Sequence, residues 1–134
     1  MIHTLTIETP GSGLHEITAA INTMLRESGA VEGLCTLCIQ HTSASLLIQE
    51  NADPAVRRDL EAWLCRLAPE GDPLYTHTSE GPDDMPSHIK AALTATSLGI
   101  PFQNGHLCLG TWQGVFLWEH RRQGSRRRLV VHLS

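Results

Sequence analysis

The sequence predicts an α+β protein, a single domain over residues 1–134 with a largely antiparallel sheet and three helices. Three observations carry that expectation. Period-two alternation and helical spacing both occur along the chain, but they do not alternate regularly. The last part of the chain, from residue 106 on, reads as strand, strand, turn and strand. The steady β-α-β repetition of a doubly wound parallel sheet is absent. A chain of 134 residues suits one domain that buries its own core without disulfide staples.

The elements follow from local pattern. "IHTLTIET" (2–9) sets Ile2, Thr4, Thr6 and Glu8 against His3, Leu5, Ile7 and Thr9, a strand with one buried face. "PGSG" (10–13) reads as a break. In 14–29, Leu14, Ile17, Ile21 and Met24/Leu25 fall at helical spacing, and Gly29 sits where a helix stops. "VEGLCTLCIQHT" (31–42) is a second strand. Residues 51–69 carry the strongest helical pattern. Asp53 can cap it, Pro54 suits its first turn, Val56, Leu60, Trp63, Leu64 and Leu67 form one stripe, and Pro69 ends it. Residues 70–86 form a polar loop rich in Gly and Pro, of a length that usually signals function or disorder. A third helix begins at Pro86 or Ser87 and runs through 99. "QGS" (123–125) reads as a hairpin turn between the last two strands.

Composition excludes several classes. The net charge is −4, so the chain as a whole does not attract nucleic acid. No apolar run approaches a membrane span. The N-terminus lacks a basic stretch followed by an apolar one, so a cytoplasmic location is expected. Of the four cysteines, Cys35 and Cys38 make a CxxC, but on a strand positions i and i+3 face opposite sides and no second CxxC follows. They are expected to be reduced, structural thiols.

Three segments hold candidate chemistry. "QHTSASLLIQEN" (40–51) starts with a histidine and ends with a carboxylate and an amide around the apolar run Leu46-Leu47-Ile48. His41 ends the apolar face of the second strand, either as a satisfied core-edge histidine or as the rim of a pocket. "DDMPSH" (83–88) offers two acids before a helix, which serve as caps or as a site, and His88 in the first helical turn, where the helix dipole favours a neutral ring. Tyr75, His77 and Glu80 lie in the loop just before. "GTWQGVFLWEHR" (110–121) places Glu119 and Arg121 on one strand face, as a surface pair or as a base and an anion clamp. "RRQGSRRR" puts five arginines around a turn, either a solvated hairpin or a phosphate-binding patch.

Taken together, "QHTSASLLIQENADP", "DDMPSHIKAAL", "NGHLCLGTWQGVFLWEHR" and "SRRRLVV" resemble the YjbQ family of small proteins from about residue 3 to 133, in unbroken order. The resemblance implies an α+β two-layer fold, a homotrimer, and cavities near subunit contacts lined by motif residues. It implies a secondary thiamine-phosphate synthase activity, which joins a pyrimidine diphosphate to a thiazole phosphate and releases pyrophosphate. It also implies a divalent metal ion, zinc among the candidates, held by histidines. Carried over by residue, His41, His77 and His88 are the expected metal ligands. Glu119, Asp84, Ser43 and Glu50 are the expected catalytic group, with Glu119 or Asp84 moving the proton. Trp112, Gln113, Arg121 and Arg128 are expected to bind a small phosphorylated metabolite. On this view His41 and Glu50 bracket a cavity-lining turn anchored by Leu46, Leu47 and Ile48. His106 departs from the family, which more often has arginine there. A non-catalytic trimer that captures an anionic metabolite or a metal ion is the alternative reading.

Overall fold

A computed structural model describes residues 1–134. In chain order it contains β1 (Ile2–Glu8), β2 (Gly11–Glu16), α1 (Thr18–Ser28), β3 (Glu32–Ile39), β4 (Ala44–Glu50), α2 (Pro54–Leu67), α3 (Asp84–Leu93), β5 (Ser97–Gln103), β6 (His106–Leu107), β7 (Gln113–Gln123) and β8 (Arg126–Leu133). The α+β class, the three helices and the antiparallel pairing are as expected. The strands, however, form two facing sheets, one ordered β1-β8-β3-β5-β6 and one ordered β2-β7-β4.

Three strands replace what the sequence read otherwise. Residues 11–16 pair with β7 rather than breaking the chain and starting a helix, and Leu14 faces Trp118 across that pairing. The helix starts only at Thr18, whose hydroxyl accepts the Val115 N–H. The segment 44–50 is β4, not a turn. Its run Leu46-Leu47-Ile48 lacks alternation because the small sheet is covered on both faces, by the large sheet on one and by α2 and α3 on the other. The third helix stops at Leu93, where the Thr94 hydroxyl donates to the Lys90 carbonyl, and 97–103 becomes β5. Asn104 and Gly105 then turn β5 into β6 with positive φ of 52° and 78°, the Asn-Gly hairpin signal that a long-helix reading overlooks.

The expected hairpin at 123–125 is a turn, but its strands do not pair with each other. β7 lies in the small sheet and β8 in the large one. The β1–β2 and β3–β4 connections also cross between sheets, and all three crossings lie at one end of the sandwich. α1 fills the other end, sinking Ile21 and Leu25 between the sheets. The core there joins Leu37, Leu129 and Val131 of the large sheet to Leu46, Val115 and Leu117 of the small one. On the outer face of the small sheet, Phe116 and Trp118 are buried, and the Trp118 indole N–H donates to Glu61 of α2 at 2.5 Å. No helix is long and apolar enough to cross a membrane.

The crossing of β7 to β8 depends on Gly124. A Cβ there would sit inside the Thr9 carbonyl and within 2.8 Å of Pro10 C, where the β1–β2 connection presses against it. Gly124→Ala should therefore destabilise the fold by about 1–3 kcal/mol through overpacking, read as a lower urea midpoint with an unchanged m-value. An unchanged midpoint would mean that the two crossings are not in close contact.

Candidate metal and anion site

The end where the chain crosses between sheets collects most of the polar side chains singled out in the sequence. Glu119 is the innermost. Residues 115, 117 and 119 of β7 face the large sheet, so Glu119 continues the inward row of Val115 and Leu117 and is fully buried. Its partner is Arg127 of β8, 3% exposed. Arg127 Nε donates to Oε1 at 2.8 Å and Nη2 to Oε2 at 2.5 Å. The Thr9 hydroxyl donates to Oε1 at 2.7 Å, and the Arg121 backbone N–H to Oε2 at 3.2 Å. Burial alone would raise the Glu119 carboxyl, but Arg127, Thr9 and the Arg121 N–H outweigh it and hold it below its ordinary value.

Arg127 Nη2 also donates to Ser43 Oγ at 3.3 Å, and that hydroxyl lies 2.9 Å from His41 Nδ1. The Ser43 backbone N–H donates to the same nitrogen at 3.0 Å. Nδ1 is therefore an acceptor and the ring is neutral. Its partial burial, and after it the charge of Arg127, hold the His41 pKa below its ordinary value. His41, Ser43, Arg121, Arg127 and the 123–125 turn enclose a cavity of about 360 Å³ with no hydrophobic side chain in its walls.

A second cluster adjoins the first through Arg121. Asp84, in the first turn of α3, is 3% exposed. Arg121 Nη1 donates to its Oδ1 at 2.6 Å, while Oδ2 lies 2.6 Å from His77 Nε2 and 3.0 Å from His88 Nε2. His88 Nδ1 lies 2.9 Å from the Thr42 carbonyl, which can only accept, so Nδ1 carries the proton. In the neutral ring, Nε2 then presents a lone pair to a carboxylate oxygen. Two such acceptors at that distance repel unless a proton or a cation lies between them. Two imidazole nitrogens and one carboxylate oxygen, all within 4.8 Å of one another, form a two-histidine, one-carboxylate donor set with the chemistry that divalent metals take. Asp83, read as a cap, accepts instead from Arg121 Nε and the Arg122 N–H, at 3.1 and 3.0 Å.

The structure thus gathers His77, Asp84, His88 and Arg121, with His41, Ser43 and Glu119 beside them. His41 is not one of the converging donors. Its Nδ1 is turned to Ser43, and it borders the anion cavity. Glu119 and Arg121 do not pair through their side chains, since each has its own partner of opposite charge. Four expectations fall elsewhere. Glu50 lies at the far end of β4, six residues from Ala44 and so about 20 Å away, where it accepts the Asp53 N–H. His41 and Glu50 therefore do not bracket one turn. Trp112 and Gln113 lie at that same far end. Trp112 is 64% exposed, and Gln113 Oε1 accepts the Gly110 N–H at 2.8 Å. Arg128 points to the exposed outer face of the large sheet, and Arg127 takes the inward place. Strand parity carried that signal, because Arg127 shares the phase of the buried Leu129, Val131 and Leu133. His106 is exposed beside the Asn104-Gly105 turn, away from the site.

The family model described as "UPF0047 protein YjbQ-like" matches residues 3–134. The chain is 53% identical over 130 residues to the UPF0047 protein sll1880 of Synechocystis, covering 97% of this chain and 88% of that protein. It is 45% identical over 132 residues to the UPF0047 protein YjbQ of Escherichia coli O157:H7, covering 98% and 95%. Among solved structures, the conserved hypothetical protein TT1486 of Thermus thermophilus superposes with a TM-score of 0.89 at 37% identity, covering 98% and 99% of the two chains. A YjbQ/UPF0047 family protein of Clostridium acetobutylicum gives 0.83 at 34% identity, covering 100% and 99%.

The buried pair predicts an acid-sensitive contribution to stability. The folded Glu119 pKa lies below the unfolded value, so the pair stabilises fully above about pH 4.3. That stabilisation is lost as the pH falls through the folded value. At pH 7, Glu119→Gln should cost about 3–5 kcal/mol by leaving Arg127 buried and unpaired. In urea melts the gap between variant and parent should narrow below about pH 4. A gap that stays constant down to pH 3 would contradict the assignment.

Proposed function

The chain belongs to the YjbQ-like UPF0047 family, and from that premise we propose that it is a metal-assisted transferase for small phosphorylated substrates. The reaction we assign is the thiamine-phosphate synthase one, joining a pyrimidine diphosphate to a thiazole phosphate with release of pyrophosphate. The observation that carries this reading is the adjacency of the His77–Asp84–His88 donor set to a cavity with no hydrophobic side chain in its walls, bordered by Arg121 and Arg127.

A divalent ion, zinc by preference, would be held by His77, Asp84 and His88 and would supply positive charge against a departing diphosphate. The protein groups have separable tasks. Arg121 fixes Asp84 through Oδ1 and so aims Oδ2 at the histidines. The Thr42 carbonyl fixes the His88 tautomer that leaves Nε2 free to coordinate. Arg127, pinned by Glu119, presents fixed positive charge to the cavity, and guanidinium geometry suits phosphate oxygens. His41, neutral and at the cavity wall, is the group placed to move a proton. Glu119 has both oxygens engaged and serves as an anchor.

Assembly with further copies belongs to the same proposal. Trp63 and Leu67 of α2 and Leu93 of α3 are each more than half exposed and border one apolar groove with Leu47 and Leu60. A homotrimer, as the family resemblance implies, would cover such a surface. Light scattering should give three times the 14.7 kDa chain mass, and Trp63→Glu should reduce it. A parent that scatters as a monomer would remove the trimer.

Elemental mass spectrometry on zinc-incubated, untagged protein should find near-stoichiometric metal, lost in His88→Ala and Asp84→Asn. His41→Ala should keep the metal but lose about 10²–10⁴-fold in thiamine phosphate formation. Arg128→Ala should keep both. Full turnover in a folded His88→Ala protein would remove the metal from the mechanism.

A further inference from the structure

The loop joining α2 to α3 encloses a cavity of about 300 Å³ that adjoins His77 and is chemically unlike the anion cavity. Its walls include Tyr75, Pro82 and Met85, with Thr78 beside them and no basic side chain except His77 itself. We propose that this cavity seats the flat, uncharged organic part of a phosphorylated ligand whose anionic part lies at the His77–Asp84–His88 donors. The proposal rests on the reading that the donor set serves small phosphorylated molecules, and adds to it where the rest of such a molecule goes.

The loop is held in shape before any ligand arrives. Tyr75 Oη donates to the Pro69 carbonyl at 2.8 Å, and the Tyr75 N–H to the Asp72 carbonyl at 3.1 Å. The Leu74 N–H donates to Asp72 Oδ1 at 2.9 Å. With its phenol satisfied at one end, Tyr75 offers the cavity ring surface rather than an unpaired polar group. Arg121 Nη2 donates to the Glu80 carbonyl at 3.0 Å, so the guanidinium that borders the anion cavity also pins this loop. The two cavities therefore flank one rigid cluster, with His77 in the wall of one and Arg121 in the wall of the other.

Aromatic side chains are scarce in this chain, and where each goes decides what can receive a ring. Of three tryptophans, two phenylalanines and one tyrosine, Phe102, Phe116 and Trp118 are core residues. Trp63 is on α2, and Trp112, which the family resemblance implies as a metabolite-binding residue, lies just before the far end of β7. The lone tyrosine is the aromatic beside the donor set. Met85 adds a polarizable thioether, which packs well against ring edges. Asp72 has its Oδ1 occupied by the Leu74 N–H, and no arginine or lysine lines this cavity. A neutral ring fits these walls, whereas a second phosphate would find no guanidinium.

The test compares three probes on the zinc-loaded full chain by isothermal titration calorimetry: inorganic phosphate, methyl phosphate and phenyl phosphate. Phenyl phosphate should bind about tenfold or more tightly than methyl phosphate, the gain expected from burying one ring face. Tyr75→Ala should erase that advantage while leaving methyl phosphate affinity unchanged, which also reports an intact site. Met85→Ser, on a separate wall, should give the same selective loss, so a collapsed loop in the tyrosine variant does not decide the matter. Tyr75→Phe should retain the advantage. Equal affinity for the two esters, with methyl phosphate bound, would overturn this inference and leave the phosphate reading standing. Failure of all three probes to bind would overturn both.

Discussion

A buried ion pair bridges the two sheets, and the site exists because of where that pair lies. Glu119 comes from the small sheet and Arg127 from the large one, and both are almost wholly out of water. Charges cannot be left there singly without a cost of several kcal/mol, so the two strands that carry them are held in one relative position. Thr9 and Ser43, from the other two sheet-to-sheet connections, bond into the same pair. Three crossings are thereby tied at one end of the sandwich, where the chain leaves its regular ladders and can present polar side chains to a cavity. The opposite end is closed by the apolar residues of α1 and carries no such cluster of charge.

From this anchor the charges are dealt outward in alternating order. Glu119 fixes Arg127, and its Oε2 also takes the Arg121 backbone N–H. The Arg121 side chain then holds Asp83 and Asp84. Asp84 in turn gathers His77 and His88 at one oxygen. Burial alone would raise the Asp84 carboxyl, but His77, His88 and Arg121 outweigh it and hold it below its ordinary range. Each link is neutralised by the next, so the charge of the buried Asp84 is balanced by the half-exposed groups around it. A bound cation would take its place in that sequence at the open end, next to the cavity with two arginines.

Much of this was legible in the sequence, and the failures share a physical cause. Residue type and spacing single out the segments 83–88 and 119–121, and Arg121 joins them by binding Asp83 and Asp84. His77 and His88 meet at Asp84 because the loop that carries one leads into the helix that carries the other. The errors arose where a single-strand pattern stands for an unseen neighbour. β4 was hidden because a sheet covered on both faces loses its alternation. Glu50 lies far off because a seven-residue strand, not a turn, separates it from Ala44, and the β4–β7 pairing sets Trp112 and Gln113 beside it. The family resemblance points to Arg128, whereas the parity of Leu129, Val131 and Leu133 marks Arg127 as the inward residue. The buried pair itself could not be read from sequence, because Thr9, Ser43, Glu119 and Arg127 meet only after the sheets pack.

The most direct test is crystallographic. Crystals of the full chain soaked in a zinc salt with inorganic phosphate, with data collected on both sides of the zinc absorption edge, would locate the ion without reference to activity. The account predicts one strong anomalous peak among His77 Nε2, Asp84 Oδ2 and His88 Nε2, with phosphate density facing Arg121 and Arg127. A peak held by other residues, or none at the Asp84 cluster, would contradict it.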